Sequence, residues 1–282
     1  MLLLLIVSLV WAFSFGLIKH HLGGLDPSVV AVLRLAGAFV VFLPFLRPAR
    51  VGGWRIVRLA LIGAIQFGLV YLLYLHSYSH LKAYEVALFT ITTPIFVAIL
   101  DAALEKRWNG YHLAAALLSV VGAGVVVWSA PPGSATLHGF ILVQLSNVCF
   151  AAGQILWVRE RRTMPQTISD ASVFAIPYGG ALVVTLAYLW SGPGITVHLN
   201  TDQLVTILYL GVVASGLGFF LWNKGASQVN AGTLAAFNNA KIPLGIAASL
   251  IAFGEQANLP KLLLSTGLMA AAVWLAEGAK QR

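Results

Sequence analysis

The sequence predicts an all-α polytopic membrane protein with ten transmembrane helices arranged as two inverted five-helix repeats. Composition, a regular series of apolar segments and a similarity between the two halves carry this prediction. Of 282 residues, 59% are hydrophobic and 9% are charged, whereas an ordinary soluble domain has about 25% charged residues. The mean hydropathy is +0.88. So few polar residues cannot cover the surface of a water-soluble protein, which indicates a chain embedded in lipid.

The apolar segments are separated by short loops rich in Gly, Pro or charge, and a segment of about 20 residues spans a bilayer. The first segment has no basic residues before it and is followed by more membrane, so we interpret it as a span rather than a signal peptide. The ten predicted spans are residues 2–20, 27–46, 56–77, 83–104, 112–130, 136–158, 170–190, 202–223, 231–253 and 260–277.

The basic residues indicate the orientation of these spans. With the N-terminus in the cytoplasm, twelve of the 17 Lys and Arg residues fall on the cytoplasmic side and three on the outer side, while Arg34 and Lys241 lie inside spans. This positive-inside bias predicts that both termini are cytoplasmic. It also accounts for the net charge of +8 without a nucleic-acid partner. A single cysteine, Cys149, excludes a disulfide framework.

The two halves of the chain resemble each other. Residues 71–89 align with residues 219–237, and after one inserted residue Pro94 meets Pro243. Because each half contains an odd number of spans, the second half must enter the membrane upside down relative to the first. The predicted repeats are residues 1–131 and residues 132–282.

Inverted repeats are typical of secondary transporters, which bind their substrate near the membrane midplane between the repeats. Interconversion of two pseudo-symmetric conformations then exposes the site to each side in turn. The sequence has no GxxxxGK[ST] phosphate-binding loop, so ATP-driven transport by this chain is not expected. We therefore predict a secondary transporter that works by alternating access.

The motif A-x-x-x-A-x-F…P…E occurs in both the fourth and the ninth span, and "WAFSF" occurs in the first. With the five-plus-five arrangement, these motifs resemble the EamA family of the drug/metabolite transporter superfamily over nearly the whole chain. The resemblance implies a bundle in the bacterial inner membrane, with a central cavity lined mainly by helices 1, 3, 4, 6, 8 and 9. It also implies export of amino acids or similar small metabolites. Lys241 and Glu85 depart from the family pattern, in which these positions are more often neutral.

Lys241 is the most unusual residue of the ninth span. It lies ten residues beyond Ala231, where that span begins, which places it about 15 Å into a core of roughly 30 Å. An ammonium at that depth costs at least ~2.5 kcal/mol and usually faces a cavity or a partner. It either attracts a substrate carboxylate or releases a proton, or it forms a structural ion pair or reaches the interface.

Two asparagines and two prolines extend this candidate site. Asn238 shares a helix face with the lysine. Pro243 deprives the carbonyl of Asn239 of its helical partner, as Pro94 does for the carbonyl of Thr90. The two repeats are therefore predicted to place loosened turns with spare acceptors at corresponding depths. The alternative is a pair of ordinary kinks satisfied by Thr or Asn side chains.

Two further charged residues lie within or near predicted spans. Glu85 lies early in the fourth span, and the sequence leaves its role open. It either lines the cavity mouth, pairs with a lysine or carries a coupling proton, or it is simply solvated at the N-terminus of the helix, where the helix dipole favours an acid. Arg34, about eight residues into the second span, is predicted to be structural, either by reaching the outer interface or by pairing with Asp26.

Polar and aromatic side chains on the expected cavity helices complete the candidate site, because apolar walls with a few polar tips suit a small amphipathic solute. The histidines lack a metal-ligand spacing, so no metal or cofactor is predicted. An intramembrane enzyme or lipid-handling protein is the alternative class, but no paired catalytic groups support it. The expected partners are a small-molecule substrate and the bilayer; proton coupling and oligomeric state stay open. The remaining predicted substrate-binding residues are Ser14, Gln154, Tyr71, Tyr74 and Trp222.

Overall fold

The protein is represented by a computed structural model that describes residues 1–22, 24–81, 86, 89–127, 137–192, 199–253 and 259–278. These residues are helical apart from short connections, and no strand occurs among them. The helices, in chain order, are α1 (Leu2–His21), α2 (Pro27–Phe42), α3 (Gly53–Ser77), α4 (Thr93–Glu105), α5 (Gly110–Val127), α6 (Leu137–Thr163), α7 (Ala175–Trp190), α8 (Thr201–Ala226), α9 (Ala231–Phe253) and α10 (Leu259–Gly278).

Several helices have the length and composition of membrane spans. Within the described residues, five are long and apolar enough to cross a bilayer, namely Pro27–Phe45, Gly53–Ser77, Leu137–Thr163, Thr201–Ala226 and Leu259–Gly278. Shorter apolar stretches occur in α1, α5 and α7.

The distribution of side chains is the reverse of that in a soluble protein. Trp190 and Trp274 point outward, 93% and 77% exposed, whereas Gln66, Asn223 and Asn239 are completely buried. Water would disfavour both arrangements, but lipid tolerates exposed apolar rings and strongly favours polar groups paired inside the bundle. This pattern is that of a multi-pass membrane protein.

The start of α2 is fixed by a local cap. The side chain of Asp26 accepts hydrogen bonds from the backbone N–H groups of Ser28 and Val29, and Pro27 occupies the first helical turn. This is a favourable helix start, because the cap satisfies two otherwise unpaired donors. The predicted pairing of Asp26 with Arg34 is therefore wrong: the carboxylate caps the helix, and Arg34 reaches a different helix.

Helices α3 and α8 each contain a π-helical segment near the middle, Ala64–Leu69 and Leu210–Leu217. Such segments insert an extra residue into a helix and frequently occur at functional sites. Both pack tightly against neighbours. A Cβ added to Gly37 would lie 3.4 Å from the Cα of Gly211, so α2 and α8 nearly touch along their backbones. These close contacts fix the helices that surround the central cavity.

Candidate functional site

A cavity opens between helices α1, α2, α3, α6, α8 and α9 and the residues at the start of α4. Its walls are mainly apolar and aromatic, with a small number of polar and charged groups, as is usual for a small-molecule site. The described residues that line it include two cations and no carboxylate. The lining residues are Trp11, Ser14, Ile18, Arg34, Val70, Tyr71, Tyr74, Thr90, Thr93, Ser146, Asn147, Phe150, Phe219 and Lys241.

The structure separates the predicted site residues into two groups. Ser14, Tyr71, Tyr74, Thr90 and Lys241 line the cavity. The others in the described chain lie behind its wall and are discussed below. Glu85 lies outside the described residues.

Three predicted site residues form one buried hydrogen-bond network behind the wall. The indole Nε1 of Trp222 donates to Oε1 of Gln154 over 2.9 Å, and Nε2 of Gln154 donates to Oδ1 of Asn238 over 3.3 Å. The Asn238 amide also donates to the carbonyl of Leu234. Because these side chains come from α6, α8 and α9, the network joins three helices. None of the three side chains is among the described residues that line the cavity, and their hydrogen bonds to one another support its wall.

Trp11 connects this network to the cavity. Its ring centroid lies 4.9 Å from that of Trp222 and 5.3 Å from that of Phe219. Its Nε1 donates to the carbonyl of Ala214, in the π-helical segment of α8, over 2.8 Å. The ammonium Nζ of Lys241 lies 5.8 Å from the Trp11 ring centroid, which is within cation–π range. Trp11 thus forms a rigid aromatic surface beside the lysine.

Lys241 is half-buried as a residue, and it lines the cavity. No carboxylate of the described chain lies within ion-pair distance of it. Its contact with the Trp11 ring offsets only part of the cost of holding a charge at this depth. The lysine is therefore placed to interact with a group inside the cavity.

Arg34 lies on the same cavity and is only 5% exposed. Its Nε donates to Oγ of Ser215 over 3.2 Å, and its guanidinium carbon lies 4.6 Å from the ring centroid of Tyr71. The Tyr71 hydroxyl in turn shares a 2.8 Å hydrogen bond with Ser215. The expected structural role describes only part of what Arg34 does, because its side chain is held by α3 and α8 and also lines the cavity. Helix α2 is therefore added to the helices that were expected to line the cavity.

The fourth predicted span is not one continuous helix: a turn interrupts it just before α4, close to Pro94. Residues 91–92 form a turn, and the exposed backbone acceptors are taken up by side chains. The Phe89 carbonyl accepts from Gln144 (3.1 Å) and Asn147 (2.9 Å), both on α6. The Thr90 carbonyl accepts from Thr93 over 2.8 Å. The expectation of spare acceptors is therefore wrong here, and the alternative of a kink satisfied by side chains is correct.

The second proline behaves differently, because α9 continues through Pro243. Asn239 is fully buried, and its Nδ2 donates to the carbonyl of Ile91 over 2.8 Å. Its Oδ1 has no hydrogen-bond partner among the residues that the structure describes. Asn239 thus fastens α9 to the broken turn before α4 and does not line the cavity.

A group of ion pairs lies at another end of the bundle. Glu160 of α6 contacts Nε of Arg55 at 2.8 Å and a terminal nitrogen of Arg58 at 3.6 Å, both on α3. Glu105 of α4 contacts Arg159 and Arg162 of α6, each at 3.2 Å. Glu105 thus takes part in a cluster of ion pairs between helices. These pairs bind α3 and α4 to α6.

Sequence reasoning missed several wall residues. Asn147, Ser146 and Thr93 were not singled out, because small polar residues in a span look the same whether they cap a turn or face a solute. Trp11 occurs in the quoted "WAFSF" motif, and a tryptophan, with its polar indole N–H, in the middle of an apolar first span was the available signal.

The helical bundle and its aromatic, cation-bearing cavity define a membrane transporter for a small molecule. The chain belongs to the EamA-like transporter family, whose model matches residues 1–128 and 137–277. It is 40% identical to a probable biotin transporter of Pseudomonas aeruginosa, over 96% of each chain. It is 39% identical to the biotin transporter of Salmonella typhimurium, over 98% of this chain and 92% of the relative. A crystal structure with 17% identity shares the fold, with a TM-score of 0.79 and coverage of 100% and 98%.

Membership of this family confirms the predicted resemblance and the class of protein. The chain is a multi-pass membrane transporter rather than an enzyme, and its substrate is a small molecule.

Proposed function

We propose that this protein is a secondary transporter that carries biotin, or a closely similar monocarboxylate, across the inner membrane by alternating access. The observation that carries the proposal is the cavity itself, which holds Arg34 and Lys241 and no carboxylate among its described lining residues. Biotin has one carboxylate, an aliphatic chain and a compact ring system. A positively charged, aromatic cavity complements both parts of such a molecule. The names of the relatives that are 39–40% identical support the same substrate.

Several features support the proposed arrangement of ten spans in two inverted repeats. The family model matches the chain twice, once in each proposed repeat. The π-helical segments lie in α3 and α8, the third and the eighth helix, which correspond in the repeat. Inverted repeats of this kind allow the two halves to exchange conformations around a central site.

The two ends of the bundle differ in a way that suits alternating access. Glu105 and Glu160 form ion pairs that draw α3, α4 and α6 together. The cavity is lined by residues of α3 that follow its π-helical segment, whereas Arg55 and Arg58 precede that segment. With both termini in the cytoplasm, the ion pairs lie on the cytoplasmic side and the cavity lies toward the outside. Transport then requires the ion pairs to separate.

Lys241 has a direct role in this proposal. Its ammonium attracts the substrate carboxylate into the cavity, because a charge held at low dielectric interacts strongly with an opposite charge. The resemblance to exporters predicts outward movement, and an amino acid is the second class of solute with the required carboxylate. Direction and substrate class are both measured in the experiment below.

The test uses purified protein reconstituted in one orientation in proteoliposomes, with radiolabelled biotin supplied from the outside in one assay and from the inside in another. We expect saturable transport by the native protein, reduced about tenfold or more in Lys241→Ala, because a charge-assisted contact is lost. Lys224→Ala is the matched control, since Lys224 is exposed at the end of α8. Parallel assays with amino acids test the second class. The absence of biotin movement in the native protein, in either direction, contradicts the proposal.

A further inference from the structure

Arg34 combines burial with unused hydrogen-bonding capacity. The residue is 5% exposed and lies in α2, a helix apolar enough to span a membrane. Its Nε is taken up by Ser215, but neither terminal nitrogen has a hydrogen-bond or ion-pair partner within the part of the chain that the structure describes. A guanidinium has five N–H donors, and four of them belong to these terminal nitrogens. The residue lines the cavity, so they are available to a bound solute.

The orientation of the guanidinium is fixed from two sides. Ser215 accepts from Nε, and the guanidinium carbon lies over the Tyr71 ring, 4.6 Å from the ring centroid. The Ser215 hydroxyl is itself held by the Tyr71 hydroxyl at 2.8 Å. Behind them, the hydroxyl of Tyr178 lies 2.8 Å from the carbonyls of Ser215 and Gly216. A ligand therefore meets a preorganised cation, and little side-chain entropy is lost when it binds.

A cation placed in this way is suited to one kind of ligand. With Nε occupied, the two terminal nitrogens remain as a planar fork whose spacing matches the two oxygens of a carboxylate. The cavity's other cation, Lys241, is a point charge that contacts the Trp11 ring and has no such geometry. The two cations therefore have different tasks: one recognises the shape of the anion, and the other adds positive charge.

We propose that Arg34 is the specificity-determining residue for the substrate's carboxylate, which its two terminal nitrogens bind through paired hydrogen bonds while Ser215 and Tyr71 hold the guanidinium in place. This proposal rests on the proposed function in one respect only, that the substrate carries a carboxylate. It identifies a residue of α2, outside the helices expected to line the cavity, as the anchor of the site.

The proposal is tested by equilibrium binding to purified protein in lipid nanodiscs. The ligands are biotin and its neutral primary amide, together with glutamate, leucine and lactate, each paired with its amide. We expect native protein to prefer biotin over its amide by about tenfold or more, which is the effect of a charge-assisted hydrogen bond. Arg34→Gln lowers this preference severalfold, and the charge of Lys241 accounts for the part that remains. Arg34→Lys keeps the charge but loses the fork, and it weakens biotin binding about tenfold.

Two further variants separate positioning from folding. Ser215→Ala leaves the guanidinium but frees its Nε, and we expect biotin affinity to fall severalfold while the preference for acid over amide is retained. Arg47→Gln is the matched control, because Arg47 is exposed on the surface, and it should bind biotin as native protein does. Binding of the neutral amide, which Arg34→Gln should leave within about twofold of native, reports that the variant is folded.

The outcomes distinguish the two proposals. If the native protein binds biotin and Arg34→Gln keeps the native preference for acid over amide, the role of Arg34 is disproved and the transport proposal stands. Native affinity in Arg34→Lys also overturns it, because charge alone is then sufficient. If a different carboxylate binds instead of biotin, the biotin assignment fails. The role of Arg34 is then tested by the ratio of the affinities for that carboxylate and for its amide, in native protein and in Arg34→Gln. If no carboxylate binds, both proposals are overturned.

Discussion

The side-chain amides of Gln66 and Asn223 bond to each other in both directions: Gln66 Nε2 donates to Asn223 Oδ1 over 2.7 Å, and Asn223 Nδ2 donates to Gln66 Oε1 over 3.0 Å. Both residues are completely buried. Gln66 lies in the π-helical segment of α3, and Asn223 lies on α8. This reciprocal pair therefore links the two corresponding helices of the proposed repeats through the centre of the bundle.

Replacing either amide should be costly, whereas replacing both should cost less than the sum. Gln66→Leu or Asn223→Leu leaves a buried amide unpaired, and we expect each to lower the free energy of unfolding by about 1–3 kcal/mol. In the double variant no unpaired amide remains. Denaturant unfolding in mixed micelles measures this double-mutant cycle, with Gln228→Leu on the surface as control. Strictly additive losses would show that the two amides are not coupled.

Gly153→Ala should destabilise the bundle through a direct clash. A Cβ at Gly153 would lie 2.2 Å from the Cβ of Gln66, so α6 and α3 must separate or the amide pair must shift. Overpacking of this kind costs about 1–3 kcal/mol. Gly267→Ala in α10 is the matched control, because nothing lies within 4 Å of its added Cβ. We expect it to be neutral or stabilising by up to about 1 kcal/mol. Equal thermal unfolding midpoints for the two variants would contradict the close packing.

The two carboxylates of the ion-pair group should differ in their contribution to stability. Glu160 is 7% exposed and is shared by Arg55 and Arg58, so Glu160→Gln should lower the free energy of unfolding by about 1–3 kcal/mol. The side chain of Glu105 is 32% exposed, so Glu105→Gln should cost at most about 1 kcal/mol. Added salt should reduce the Glu105 effect more than the Glu160 effect, because solvent ions screen exposed pairs. A larger loss at Glu105 would reverse this ranking.

Lys241→Met should lower transport without lowering stability. No carboxylate of the described chain is paired with the ammonium, so its removal relieves the cost of a charge inside the bundle and breaks no ion pair among the described residues. We expect the thermal unfolding midpoint to stay the same or rise, while carboxylate transport falls about tenfold or more. Lys224→Met, at an exposed site, should change neither quantity. A marked fall in the midpoint would instead support the alternative of a structural ion pair.

Much of the fold follows from local sequence patterns. The long apolar segments, the Asp26 cap before Pro27 and the break before Pro94 are each specified by residues close together in the chain. The depth of Lys241 could also be predicted, because helical rise converts residue number into distance. These features depend on the chain's own backbone chemistry and on lipid as the solvent, so no knowledge of the neighbouring helices is needed.

The contacts between helices could not be predicted in the same way. Tyr71 and Gln154 are both polar residues within predicted spans, so the sequence does not distinguish them, yet Tyr71 lines the cavity and Gln154 lies behind its wall. Arg34 looked structural because its partners, Ser215 and Tyr71, are distant in the chain.

By itself, the sequence determined the family, the membrane class and a lysine at the middle of a span, because periodicity, hydropathy and proline chemistry act locally. Only the tertiary structure decided that Arg34 and Lys241 share one cavity, that Asn238 and Asn239 form hydrogen bonds to residues outside α9, and that the carbonyls before Pro94 are satisfied. The physical reason is that a polar group inside a bundle must find a partner, and the approach of helices far apart in the chain determines which partner it meets.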